Sequence, residues 1–223
     1  TFCDSAGVIN NDTTICSGTS LTLNAVASSN SSGVTDIDGN IYPTVNIGTQ
    51  TWTQKNLNVS RYRNGDVIPQ VTNATQWASL TTGAWCWYNN DSATYAATYG
   101  KLYNWYAVND PRGLAPAGWH VPTDEEWTVL TDYLGGATIV GGKLKEVGTS
   151  SWNSTDTEAT NTSLFTGLPG GLRDSYGSYS LFGNTGYFWS SIDYNRDNTY
   201  FRNLYYSNSN VFRDFLFKKN GMS

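Results

Sequence analysis

Residues 121–136 read VPTDEEWTVLTDYLGG, the one stretch of the chain that carries a complete set of helix signals. Thr123 can cap a helix with its hydroxyl, and Glu126 stands three residues later, where a capping box needs it. Trp127, Leu130 and Leu134 then recur on one face before Gly135 and Gly136 supply the stop. Asp124, Glu125 and Glu126 could be imagined as catalytic carboxylates, yet acids in a first turn are favoured by the helix dipole, so a structural use is expected. His120, just upstream in GWHVP, is the sole histidine and has apolar neighbours. With no second His or suitable Cys beside it, it is expected to be a hydrogen-bonded core residue rather than a base or a metal ligand.

The rest of the chain is poor in helix signals. Charged residues make up 14% and aromatics another 14%, with nine Trp, fifteen Tyr and 22 Gly. That balance points to a loop-rich fold held by aromatic packing, with no long helices. A net charge of -5 argues against a nucleic-acid partner, because phosphate binding needs clustered Lys and Arg. No apolar run approaches the ~20 residues that span a bilayer, so no membrane span is expected in this chain. Thr1 begins no signal peptide, and the sequence has the character of an excised mature fragment. Cys3, Cys16 and Cys86 fit neither a zinc ribbon nor a CxxC motif. In an exported protein Cys3 and Cys16 could close a short loop, leaving Cys86 as a buried thiol between Trp85 and Trp87.

Residues 1–35 stand apart from 36–223. TTICSGTSLTLNAVA alternates apolar and polar positions as a half-buried strand would, and SSNSSGVT has the composition of a linker. The stretch is similar to the early strand of immunoglobulin-like repeats in large surface proteins of Bacteroidetes; a disordered tail is the other reading. From Asp36, alternation around Tyr42, Val45, Ile47 and Trp52, broken by Asp38-Gly39, Gly48 and Asn64-Gly65, predicts short strands joined by tight turns. DIDGN at 36–40 begins like a calcium loop, but Ile41 and Ile47 stand where an EF-hand needs Gly and a bidentate Glu, so a turn is expected.

In order along the chain, DIDGNIYPTVNIGTQTW, NLNVSRYRNGD, AWCWYNND, YGKLYNWYAV, RGLAPAGWHVPTDEEW, GGKLKE, LPGGLRD and GYFWSS closely resemble the Fibrobacter succinogenes major paralogous domain. That family is similar to the formylglycine-generating-enzyme-like group, and VPTDEEW matches the group's helix start. The resemblance implies an α+β, C-type lectin-like domain over 36–223, with short helices, small twisted antiparallel sheets and long loops. Family members often place Cys where Ala115 stands and continue past Gly221-Met222-Ser223 into Val-Arg-Cys. The resemblance thus implies a bridge that is absent here, and either a trimmed C-terminus or a lost final strand.

Catalysis is not expected. Formylglycine-generating enzymes hold copper through two late thiolates, and this chain has no Cys after Cys86. Ser190 and Ser191 have no spare histidine as base, and Asp193 and Asp197 are better explained as turn residues. No cofactor is expected, and these residues assign no metal ion.

Residues 192–217, IDYNRDNTYFRNLYYSNSNVFRDFLF, contain no Lys, Glu, Gln, Trp or Met. Tyr offers contact area with few rotatable bonds, Asn and Ser offer adaptable hydrogen bonds, and Arg adds stacking and charge. In the C-type lectin-like fold, the resemblance places this segment on an exposed ligand-binding face. The five missing types are also those that no codon ending in C encodes, so adenine-directed mutagenesis of AAC codons would avoid them. The segment therefore looks like the variable region of a diversity-generating-retroelement protein. Strand alternation requires some of Phe201, Leu204, Val211 and Leu216 to point inward. The ligand-binding candidates are Asp193, Tyr194, Asn195, Tyr200, Asn203, Tyr205, Tyr206, Asn208, Asn210, Phe212, Asp214 and Phe215. If Tyr206, Phe212, Phe215 and Phe217 are exposed together, the apolar patch calls for a partner. The expected function is noncatalytic binding of a protein or glycan on another cell surface, by an extracellular, cell-surface or phage-exposed protein. A carbohydrate-binding module and a purely structural module of a secreted protein are the alternatives.

Overall fold

The helix signals at 121–136 are realised locally. In the computed structural model, which describes residues 33–153 and 158–223, Thr123 Oγ1 accepts from Glu126 N (3.1 Å) and Glu126 Oε2 accepts from Thr123 N (2.8 Å). This box starts the longest helix described, Asp124–Tyr133, while Gly135 and Gly136 leave the helical path at φ +112 and +100. The other helices are short: α1 (Ala74–Ala78), α2 (Ser92–Tyr99), α3 (Trp105–Val108) and α5 (Gly141–Leu144), with Asp124–Tyr133 as α4.

The expected turn chemistry builds hairpins. Strand β1 (Val34–Thr35) pairs with β2 (Ile41–Tyr42) across DIDGN, where Asp36 accepts from the backbone N–H of Asp38 and Asn40 at 2.9 Å each. Val34 and Thr35, assigned from composition to the linker, thus already belong to this hairpin. Strand β3 (Thr44–Ile47) turns at Gly48, φ +62, into β4 (Gln50–Thr53), which buries Ile47 and Trp52. The expectations for residues 1–32, including the Cys3–Cys16 pairing and the immunoglobulin-like strand, lie outside the described residues.

Two antiparallel sheets position the C-terminal segment. A five-stranded sheet runs β5-β6-β12-β7-β8, with β5 at Trp85–Cys86, β6 at Leu102–Asn104, β7 at Leu172–Arg173, β8 at Tyr179–Ser180 and β12 at Gly221–Met222. A three-stranded sheet, β11-β10-β9, joins Thr185–Asp193 (β9), Asn198–Tyr205 (β10) and Val211–Phe217 (β11). Small sheets and short helices make the domain α+β.

The three-stranded sheet is covered on both sides at its base. Neighbouring strand residues point to opposite faces. Trp189 and Phe201 therefore enter one core with Tyr103, Trp105 and Met222, while Phe188, Leu204 and Val211 enter another with Trp52, Trp127, Leu130 and Phe165. Phe201, Leu204 and Val211 are buried and Leu216 packs half-buried against the first core, so all four point inward, but toward two different cores. Cys86 is fully buried beside Trp85, as expected, in a third cluster with Trp77 and Tyr88.

Candidate ligand-binding face

Each of the twelve candidate residues is exposed or half-buried, but the sheet does not bring them to one surface. The register pairs Tyr200 with Phe215 and Asn198 with Phe217 on one face, and Asn203 with Tyr187 and Phe212 on the other.

On the first face the rings form a compact cluster. Tyr194, just beyond β9, stacks on Phe215 with centroids 4.2 Å apart and planes 10° from parallel. Tyr200 meets Tyr194 edge-on at 5.3 Å, and the Arg213 guanidinium lies 4.0 Å over the Tyr200 ring. Tyr194, Phe215 and Phe217 are 46%, 43% and 49% exposed, so the cluster is a surface feature. Phe217, expected in an exposed patch but not among the contact residues, lies exposed on the same face, and Arg213, absent from both expectations, joins the cluster through Tyr200. The signal for Phe217 was the two-residue spacing from Phe215; nothing in the sequence pointed to the Arg213–Tyr200 contact.

The remaining candidates divide by position. Exposed Phe212 and Asp214 and half-buried Asn203 occupy the opposite face. Tyr205, Tyr206, Asn208 and Asn210 lie around the β10–β11 connection, where Tyr205 and Tyr206 contact edge-on at 4.7 Å. Tyr206 also packs half-buried against the second core, so it does not join Phe215 and Phe217 in one patch. Asn195 serves the β9–β10 turn, its side-chain oxygen accepting from Asp197 N and Asn198 N at 2.9 Å each. Asp193 pairs with Lys218 Nζ at 2.8 Å, and that ammonium sits 4.5 Å from the Trp105 ring centroid.

Buried cations fasten this segment to the scaffold. Arg202, 4% exposed at its side chain, donates to Asp124 Oδ1 (2.6 Å), Asp124 O (3.1 Å) and Thr128 Oγ1 (3.3 Å). Arg213 grips the same carboxylate from the surface through Nε (3.0 Å) and Nη2 (2.9 Å). Burial would raise the Asp124 carboxyl, but the hydrogen bonds from Arg213 and Arg202 outweigh it and hold it below the ordinary carboxylate range. At the other end, buried Lys145 donates to Tyr205 O (3.0 Å) and Asn208 O (2.6 Å). Gly141 N donates to Ser209 O at 2.7 Å; a Cβ at Gly141 would stand 2.7 Å from Asn210 O, so the loop seats only against a glycine.

A family model described as the Fibrobacter succinogenes major domain matches residues 45–223, from within β3 onward. The chain belongs to the Fibrobacter succinogenes major domain family. No curated protein and no solved structure matches it. Within the family's matched span lie α4, the three-stranded sheet and the whole ring cluster.

The same span contains a cavity of about 400 Å³, lined by Trp52, Trp119, Trp127, Phe165 and Phe188, with His120 and Glu126 among its polar groups. His120 corrects the sequence expectation: its side chain is 66% exposed and Nε2 lies 2.9 Å from both Glu126 carboxylate oxygens. Its apolar neighbours Trp119 and Val121 are themselves only half-buried, which is why local composition misled. Glu126 also accepts from Thr123 N, so its carboxylate is committed to the helix cap. Among the described residues, no group of three or more His, Cys, Asp or Glu side chains could hold a metal ion. No helix among them is long and apolar enough to cross a membrane.

Proposed function

We propose that this family member is a noncatalytic ligand-binding module of a cell-surface or phage-exposed protein, with a C-type lectin-like (formylglycine-generating-enzyme-like) fold. Its contact surface is the segment 192–217, diversified by adenine-directed mutagenesis, and its ligand is a protein or glycan on another surface. The observation that carries this reading is the joint exposure of Tyr194, Phe215 and Phe217 beside Tyr200 on a sheet whose base is locked between two cores. Rings held on a rigid sheet lose little conformational freedom on binding, which is the advantage of preorganised contact surfaces. The absence of any Cys after Cys86 supports a noncatalytic role within this group of folds, because the group's chemistry runs through late thiolates.

Sequencing natural copies of the gene tests the reading. Copies should vary at Tyr194, Asn195, Tyr200, Asn203, Asp214 and Phe215 but keep the buried Thr199, Phe201, Arg202, Leu204, Ser209 and Val211. A reverse transcriptase nearby, with a template repeat differing at adenines, should accompany them. Copies uniform across 192–217, or varying equally at buried and exposed positions, would refute it.

A further inference from the structure

The proposed contact segment ends in a strand whose outer edge is open. In antiparallel pairing, residues that exchange backbone hydrogen bonds with the partner strand alternate with residues that turn their N–H and C=O away. Lys218 N donates to Asp197 O at 2.9 Å, in line with β10, so residues 212, 214 and 216 face β10 and residues 211, 213, 215 and 217 face outward. Two other bonds agree with this parity. Val211 N donates outward to Ala137 O at 2.7 Å, and Phe215 N is met by Asp214 Oδ1 of its own neighbour at 2.8 Å.

That leaves the Arg213 N–H and C=O, the Phe215 C=O and the Phe217 N–H pointing outward without a backbone partner among the described residues; Phe217 O is taken by Asn220 N at 2.9 Å. The opposite edge of the sheet is occupied, because Trp189 N donates to Ser223 O (3.1 Å) and Ser191 N to Pro122 O (2.9 Å). The Asp214 contact to Phe215 N is made by an exposed side chain and is displaced by a rotation about its own bonds. An exposed strand with free N–H and C=O groups is a template for another strand.

We propose that β11 takes an added, antiparallel or parallel, extended strand from a partner protein, so that the ligand is a polypeptide recognised largely through its main chain. The inference rests on the binding reading given above and narrows its ligand from protein or glycan to an extended protein segment. Two features of the rings favour it over a sugar. The Tyr194–Phe215 stack and the Arg213–Tyr200 contact each occupy ring faces that a pyranose would need. Phe215 and Phe217 on one side of the edge, and Phe212 on the other, flank an incoming strand and receive its alternate side chains. Asp214 is exposed and makes no ion pair among the described residues, so a Lys or Arg directly across from it completes the charge.

The probe is a display library of short random peptides, selected against the whole chain. Selected peptides should carry alternating apolar residues with a Lys or Arg at one intervening position. Arg213→Ala, which removes the side chain and keeps the outward N–H, sets the reference affinity. Arg213→Pro, which differs from Arg213→Ala in lacking the outward N–H, should bind about tenfold more weakly, the worth of one or two backbone hydrogen bonds. N-methylation of the peptide should weaken binding at every second residue and leave it intact at the residues between. Pro is tolerated on an edge strand where its missing N–H faces solvent. Should Arg213→Pro not fold, Phe217→Pro removes the outward N–H at the other end of the strand and is read the same way.

Peptides indifferent to both proline variants and to N-methylation at either parity, yet lost on Tyr194→Ala or Phe215→Ala, would overturn strand addition while leaving the binding reading in place. Selection of no peptide together with retention of a glycan on an array would do the same. Selection of neither, with gene copies uniform over 192–217, would remove both.

Discussion

Replacing Arg202 by Ala should cost far more stability than replacing Arg213, although both arginines hold the same carboxylate. Arg202 is buried and makes three bonds to α4, two to Asp124 and one to Thr128, so its loss takes one of the two arginines from the Asp124 carboxylate and leaves the Asp124 carbonyl only its bond from Thr128 Oγ1 (3.0 Å) among side chains. Breaking a buried pair by removing one member costs about 3–5 kcal/mol, but Asp124 is 19% exposed and keeps Arg213. We expect about 2–4 kcal/mol for Arg202→Ala, a fall in melting temperature of roughly 5–15 °C for a domain of this size. The Arg213 side chain is 49% exposed, and an exposed pair with one ring contact is worth below about 1 kcal/mol.

The pH dependence gives a second readout. Asp124 titrates lower in the folded chain than in the unfolded one, so its contribution is present above the ordinary carboxylate range of about 4 and is lost as pH falls through the lower folded value. The gap between native and Arg202→Ala proteins should therefore hold at pH 7 and narrow only in the acid range. Urea unfolding curves at several pH values supply both measurements. Equal costs for the two arginine variants at neutral pH, or a gap that persists after Asp124 is protonated, would refute the claim that this triad anchors the segment.

Thr123→Ala should lower stability by about 1 kcal/mol in the same unfolding assay, because it removes the acceptor for Glu126 N at the start of α4. Leu204→Ala should cost about 2–5 kcal/mol, being 2% exposed in the second core, whereas Phe215→Ala on the neighbouring strand should cost about 1 kcal/mol or less and act on ligand binding instead. Cys86 should resist iodoacetamide in the folded protein and react only on denaturation, as read by mass spectrometry of its peptide, since burial raises the thiol above its ordinary value.

The sequence displayed some of this structure and hid the rest for identifiable reasons. The α4 capping box and the Gly48 turn were legible because each depends on residues within a few positions of one another. The family was legible from ordered motifs, and the match over 45–223 bears that out. The face of β10 was not legible, because Phe201 and Arg202 are consecutive and both buried, one in an apolar core and one against the Asp124 carboxylate. A rule that alternates buried and exposed positions fails wherever a sheet is covered on both sides. Buried cations were invisible for a related reason. Lys145, Arg173 and Arg202 are satisfied by carbonyls or carboxylates distant in sequence, such as Val71 O for Arg173 at 2.6 Å. Composition counts such residues as surface.

The placement of these anchors bears on how a diversified surface could persist without unfolding its host. The groups that hold 192–217 act from outside the exposed positions. Asp124 and Lys145 reach in from α4 and the end of α5, and Lys218 follows β11. Within the segment, Phe201, Leu204 and Val211 fill the cores. The exposed stack of Tyr194 on Phe215 contributes about 0.5–1.5 kcal/mol by the usual worth of an aromatic pair, and less where water already touches both rings. Exchanging those rings for Asn, Ser or Asp thus removes a small share of a stability that typically amounts to roughly 5–15 kcal/mol. The same exchange at Arg202 removes several times more. A mutational process that strikes all positions of the segment alike would leave survivors whose variation maps onto solvent exposure, and the boundary between fixed and varied residues would trace the two cores.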